Sequence, residues 1–257
     1  MNPLKSRVLA GEAVLGAFLS LGDSVVTEMV AKVGYDWLLV DLEHGLGTEE
    51  KLIHQVQALA STRTEAIVRV ENLTPQRIYR ALDLGASGVM CPLVNSADEA
   101  RRAIAAMHYP PHGNRGVAKM VRATDFAANF DDYARTTREK LLGIIQIETP
   151  AAVNCVEDIA QVDGCDVLFI GPADLSMALG KFGQLDHPDF VAATKKIIAA
   201  AQNAGKAVGF LLFNPDDYQK YYDLGIRFFA CGTDTMFLRQ GAQQNFAKLA
   251  QHRQQRP

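Results

Sequence analysis

LDLGASGVM at 82–90 decides the fold. Its first residues read as the end of a helix, its last as the start of a buried strand. Gly85 stands between them, where a helix is closed by a residue that accepts a left-handed backbone. YDLGIRFFA at 222–230 repeats the join around the same Asp-Leu-Gly core. A helix that stops at glycine and enters an apolar strand within two or three residues is the return half of a right-handed βα unit.

Moving outward, eight short β-rich runs follow one another: VLGAFLSL (14–21), WLLVDL (37–42), AIVRV (66–70), GVMCPL (88–93), GIIQIE (143–148), VLFIGP (167–172), VGFLLF (208–213) and FFACG (228–232). Most are continuously apolar, as parallel strands covered on both faces must be. Helix signals lie between them. Thr48-Glu49-Glu50 opens one reaching Ala60, Asn72-Leu73-Thr74-Pro75 opens one ending at Gly85, and Asn95-Ser96 opens one reaching Met107. His187-Pro188 and Asn214-Pro215 open two more, ending at Gly205 and Gly225. Eight such units in 257 residues match a closed (β/α)₈ TIM barrel and a single domain over 1–257. An open doubly wound sheet is the alternative, but no Gly-x-Gly-x-x-Gly follows the first strand. Residues 108–140 form a long connection before strand 5, expected to be an ordered flap or subunit contact. Residues 235–251 are expected to be helical, and HRQQRP a frayed tail.

Composition narrows the function. The chain is 48% hydrophobic and 21% charged with a net charge of -3, so it has no basic footprint for a nucleic-acid partner. The four cysteines (Cys91, Cys155, Cys165, Cys231) show no CxxC pair or zinc spacing and read as buried thiols of a reducing cytoplasm. No secretory signal and no membrane span is expected.

Polar residues cluster where strands end, the active-site face of a barrel. They are Asp41, Glu43 and His44 after the second strand, Arg69 in the third, Gln146 and Glu148 in the fifth, and Asp174 after the sixth. Alone, Glu148 reads equally as a salt-bridge partner and Asp174 as a helix cap. Together, carboxylates ending adjacent strands about 4.8 Å apart converge on one hard cation such as Mg²⁺ or Mn²⁺. Arg69 in AIVRV is costly to bury unless it meets an anion, either a core carboxylate or a developing negative charge on a substrate. His44 is a structural histidine or a general base, with Asp41 placed to orient it. Asp83, late in the third helix, reads alone as a solvated or capping carboxylate.

DLEHG at 41–45, VRV around Arg69, QIET at 146–149 and GPADLS at 171–176 closely resemble the HpcH/HpaI family of class II pyruvate aldolases, in order and from about Gly11 to Leu249. The resemblance implies that Glu148 and Asp174 hold a divalent metal (Mg²⁺, Mn²⁺ or Co²⁺). It implies that Gln146, Ala173 and Asp174 contact pyruvate, and that Arg69 stabilises its enolate. It also implies that His44 is the base, with Asp41 beside it and Asp83 raising its basicity. The implied activity is reversible aldol addition between pyruvate, or a close 2-oxo acid, and a small aldehyde. The implied assembly is a cytoplasmic homohexamer with exchanged C-terminal helices. Two alternatives use the same residues differently: an acyl-CoA lyase or oxaloacetate decarboxylase, and a non-catalytic keto-acid-binding barrel. No lysine lies in the eight runs to form an imine. The segments 18–23, 108–140 and 211–214 are expected to shape the aldehyde pocket, with Phe18, Leu211 and Leu212 as its apolar members or as plain packing.

Overall fold

The computed structural model describes residues 4–254. Eight strands close a barrel in chain order: β1 (Val14–Leu19), β2 (Trp37–Asp41), β3 (Glu65–Arg69), β4 (Gly88–Cys91), β5 (Leu142–Ile147), β6 (Val167–Ile170), β7 (Ala207–Leu212) and β8 (Phe228–Thr233). Every neighbouring pair is parallel, and β8 closes onto β1. The apolar runs thus mark all eight strands. Several runs overreach by one or two residues because the chain leaves the sheet as soon as its backbone loses a partner.

Alternation splits each strand between two cores. Leu38, Val40, Val68, Ile145 and Leu168 face outward against the helices. Trp37, Leu39, Ile67, Met90, Ile144, Phe169 and Phe228 face inward and fill the barrel. Trp37 stacks on Phe228 at 4.1 Å between ring centroids, and Phe169 stands edge-on to Phe228 at 6.3 Å. The interior is therefore a packed aromatic core rather than a channel.

The N-terminal end of the barrel is plugged by a helix, Leu4–Leu9, that sequence patterning does not announce. Leu4 and Val8 join the interior cluster. Lys5 is buried, donates to the carbonyls of Arg138 (2.9 Å) and Leu141 (3.1 Å), and pairs with Asp166 at 2.9 Å. The long connection is ordered and holds a helix at Phe130–Lys140. Its polar ties run to this same end: Arg115 pairs with Asp83 at 2.6 Å, and Arg122 reaches the carbonyl of Leu84. These ties anchor the segment at the end opposite the strand C-termini of its own chain. The final helix spans Asp234–Gln254, so it extends into the stretch read as a frayed tail, whose last three residues lie outside those described. Among the described residues, no helix is long and apolar enough to cross a membrane.

Candidate active site

The alternation that packs the core also selects the site. Asp41 follows Trp37 and Leu39 on the inward phase of β2, Arg69 follows Ile67 on β3, and Gln146 follows Leu142 and Ile144 on β5. Each is the inward residue nearest the C-terminal end of its strand. Glu148 keeps the same phase just beyond β5. The sequence cannot place these four side chains anywhere but the mouth of the barrel.

Asp41 and Arg69 are register partners. Arg69 donates through Nε to Asp41 Oδ1 (2.9 Å) and through Nη2 to Oδ2 (2.7 Å), a two-point clamp. Its Nη1 lies 3.0 Å from Glu43 Oε2, and its guanidinium sits over the Phe18 ring at 5.3 Å. Burial pulls the Arg69 pKa down, but hydrogen bonds and charge from Asp41, with Glu43 and Glu148, outweigh it and hold it raised. A guanidinium has five N–H bonds. Two go to Asp41 and one faces Glu43, which leaves one each on Nη1 and Nη2 for a further oxygen.

Glu148 is 2% exposed, and its ties are few. Leu93 N–H donates to Oε1 at 2.7 Å from a left-handed backbone (φ 54°), and Gln146 Nε2 donates to Oε2. Burial, then the charges of Asp174 and Glu43, push its carboxyl up to about 7 against the opposing Leu93 N–H and Arg69. Glu43 is raised for the same first reason, burial, with Asp41 and Asp174 adding to it. Gln146 Oε1 is buried without a hydrogen-bond partner. Gly171 roofs this group so closely that a Cβ there would lie 2.8 Å from Glu148 Oε2 and 2.9 Å from Gln146 Nε2.

Asp174 is exposed on the helix Pro172–Ala178 that follows β6. Ala173 lies in the same first turn, where backbone N–H groups have no intrahelical acceptor. Glu148, Asp174 and the free Gln146 oxygen form a set of hard oxygen donors around an uncompensated buried carboxylate. A divalent cation fits that set. Among the described residues no group of three or more His, Cys, Asp or Glu converges as ligands. A divalent ion held here would need water or substrate oxygens to complete its shell, as Mg²⁺-type sites commonly do.

The remaining expected residues fall differently. The His44 side chain is 68% exposed, with Nε2 3.9 Å from Glu43 Oε2. Asp41 does not touch its ring; Oδ1 accepts the backbone N–H groups of Glu43 (3.1 Å) and His44 (3.3 Å), so Asp41 shapes the turn instead. Asp83 ends the helix before β4, at the opposite end of the barrel, and is bound to the buried Arg115. Within one chain the structure does not bring it to His44. Phe18 lies beneath Arg69, and Leu211 packs toward the interior cluster. Leu212 faces outward into the helix layer and lines no part of the mouth. The sequence reading gave Glu43 no specific role and did not single out Leu93. Glu43 was visible as a polar residue after β2 but had no partner until β3 brought Arg69 to it. Leu93 acts through its N–H, which carries no side-chain signal. A cavity of about 380 Å³ beside Gly85, Arg122 and Tyr133 belongs to the opposite end and contains none of these groups.

Comparison with known proteins adds independent findings. A sequence profile described as HpcH/HpaI aldolase/citrate lyase matches residues 15–241. The hydroxypyruvate/pyruvate aldolase of Delftia acidovorans is 40% identical over 248 residues, covering 96% of this chain and 92% of that one. A 4-hydroxy-2-oxo-heptane-1,7-dioate aldolase of Salmonella dublin is 38% identical over 242 residues, covering 94% and 92%. The crystal structure of an HpcH/HpaI aldolase/citrate lyase family protein from Burkholderia cenocepacia matches with a TM-score of 0.91 at 35% identity, covering 96% of this chain and 98% of that one.

Proposed function

The chain belongs to the HpcH/HpaI aldolase/citrate lyase family, and from that premise we propose that its barrel mouth joins and cleaves pyruvate and a small aldehyde through a 4-hydroxy-2-oxo acid. It is a carbon–carbon lyase of the divalent-metal-dependent aldolase class. The observation that carries the site assignment is Glu148, a buried carboxylate with no cation of its own, beside Gln146, Asp174 and Arg69.

In this reading Glu148 and Asp174 hold the metal, which is Mg²⁺, Mn²⁺ or Co²⁺. When bound, the cation supplies Lewis acidity toward the 2-oxo group and lowers the cost of removing a methyl proton. The chain's own residues do the rest. Ala173 N–H and Gln146 orient the pyruvate carboxylate and keto groups. Arg69, fixed by Asp41 and Phe18, offers its two free N–H bonds to the oxygen on which negative charge grows. Because its clamp exists before substrate arrives, no reorganisation is needed as that charge develops. Glu43 and His44 stand on the aldehyde side. The imidazole moves the proton at the new hydroxyl, directly or through water, and cleavage runs the same path backward. Asp83 enters this reading only as a partner of Arg115.

The proposal extends to a cytoplasmic homohexamer that exchanges its C-terminal helices. Leu238, Phe246 and Leu249 support a subunit contact, since all three are exposed on one side of the helix Asp234–Gln254.

Pyruvate methyl-proton exchange in D₂O, followed by NMR on chelator-stripped protein with and without added Mg²⁺, Mn²⁺ or Co²⁺, tests the reading. Exchange that depends on metal is expected. No exchange with any of the three ions would remove the aldolase assignment of this site.

A further inference from the structure

Asp234 opens the C-terminal helix, yet its carboxylate serves the first loop of the barrel. It is 3% exposed. Three backbone N–H groups hold it: Ser20 at 2.9 Å and Thr235 at 2.8 Å on Oδ1, and Leu21 at 3.0 Å on Oδ2. Two of the three belong to the turn after β1. That turn passes the restraint on, because the Ser20 carbonyl accepts the N–H of Leu46 at 2.7 Å. Leu46 closes the turn that carries Glu43 and His44.

The two turns also meet backbone to backbone. A Cβ at Gly22 would lie 2.8 Å from Gly47 Cα, and one at Gly45 would lie 2.2 Å from the Asp41 carbonyl oxygen and 3.1 Å from that of Ser20. No side chain stands between them to absorb movement. A displacement of Ser20 therefore displaces residues 42–47. Arg69 is held by Asp41 at the end of β2, and Glu148 and Gln146 are held by the Leu93 N–H after β4 and by each other.

The structure assigns Asp234 a positioning role: by fixing the N–H groups of Ser20 and Leu21 it sets, through the Ser20–Leu46 hydrogen bond, where Glu43 and His44 stand at the barrel mouth. Asp234 touches no reacting atom. The consequence for catalysis rests on the aldolase reading; the mechanical coupling does not.

The test combines regional hydrogen exchange with steady-state kinetics on the metal-loaded full chain, comparing wild type with Asp234→Asn and Asp234→Ala. Asp234→Asn keeps size and one acceptor but sets an amide NH₂ against a backbone N–H, so it carries the test if the alanine variant does not fold. The expected result is faster exchange, by about tenfold or more, in segments 19–22 and 42–47 with β5 and β6 unchanged. Aldol turnover should fall by about tenfold or more while the pyruvate KM stays within about twofold, as misplacement of one catalytic flank implies. Unchanged exchange in 42–47 overturns the coupling. Uniform acceleration across the barrel overturns it too, since that marks only a loss of global stability. A wild-type enzyme without aldol activity removes the aldolase reading, and the exchange pattern still decides the coupling.

Discussion

Both ends of the barrel bury charge, and they balance it differently. At the N-terminal end each buried cation has its own acid: Lys5 pairs with Asp166 and Arg115 with Asp83. Further bonds come from the carbonyls of Arg138 and Leu141 for Lys5, the Gly143 N–H for Asp166 and the Tyr133 hydroxyl for Arg115, whose Nε stays unpartnered. At the C-terminal end Arg69 stands among four carboxylates, Asp41, Glu43, Glu148 and Asp174; burial first, then the neighbouring acids, raises Glu43 and Glu148, whereas Asp166 at the other end is raised by burial with Lys5 opposing it. Balanced charge holds a fold together. An excess of acid in a cleft is what the proposed cation would neutralise.

Substitutions at the two ends should therefore separate activity from stability. The largest effect is expected at the mouth: Glu148→Gln or Arg69→Ala should lower aldol turnover by about 10³-fold or more, and Arg69→Ala should also remove pyruvate proton exchange. Glu148→Gln should not lower the metal-free melting temperature at pH 8, because it relieves a carboxylate whose folded pKa is raised above its unfolded value. That group contributes most at low pH, and its contribution is lost as pH rises through about 7. A clear fall in melting temperature would make Glu148 a structural ion. Arg115→Met inverts the pattern. It leaves Asp83 without its partner and should cost about 3–5 kcal/mol in urea unfolding, with turnover per folded molecule near wild type. A selective loss of turnover there would bring Asp83 back into the catalytic account.

His44→Ala should reduce aldol turnover by about 10²-fold with little change in pyruvate KM; an unaltered rate would take the imidazole out of the mechanism. The smallest expected effect is a pH dependence at the N-terminal end. His108 is 3% exposed, and burial, helped by Lys5, Arg138 and Arg115, lowers its pKa to about 4. Its folded pKa lies below its unfolded value, so its contribution is present above pH 6.5 and lost as pH falls toward 4. Unfolding free energy should drop by about 2 kcal/mol between pH 7 and pH 5 through this one group. His108→Gln should flatten that slope, and an unchanged slope would locate the acid sensitivity elsewhere.

The sequence disclosed what repeats or alternates. Eight apolar runs and two glycine-closed joins carry the barrel, and inward phase alone carries Asp41, Arg69, Gln146 and Glu148 to its mouth. It hid what depends on partners distant in the chain. Asp41 looked like a neighbour of His44 in DLEHG, yet its carboxylate belongs to Arg69, 28 positions away in sequence but opposite in register. Asp83 gave no sign of Arg115, because the insertion carrying that arginine folds back to the N-terminal end. Leu93 contributes a backbone N–H that no side-chain pattern can report, and the plug helix Leu4–Leu9 is too short for a periodic signal.

Isothermal titration of Mn²⁺ into chelator-stripped wild type and Glu148→Gln, at one pH and in the presence of pyruvate, tests most directly whether the excess acid at the barrel mouth is a metal site. One ion per chain binding the wild type, with binding weakened by about 10²-fold or more in the variant, is the expected result. Equal affinity in the two proteins would contradict it and return Glu148 to the packing of the barrel.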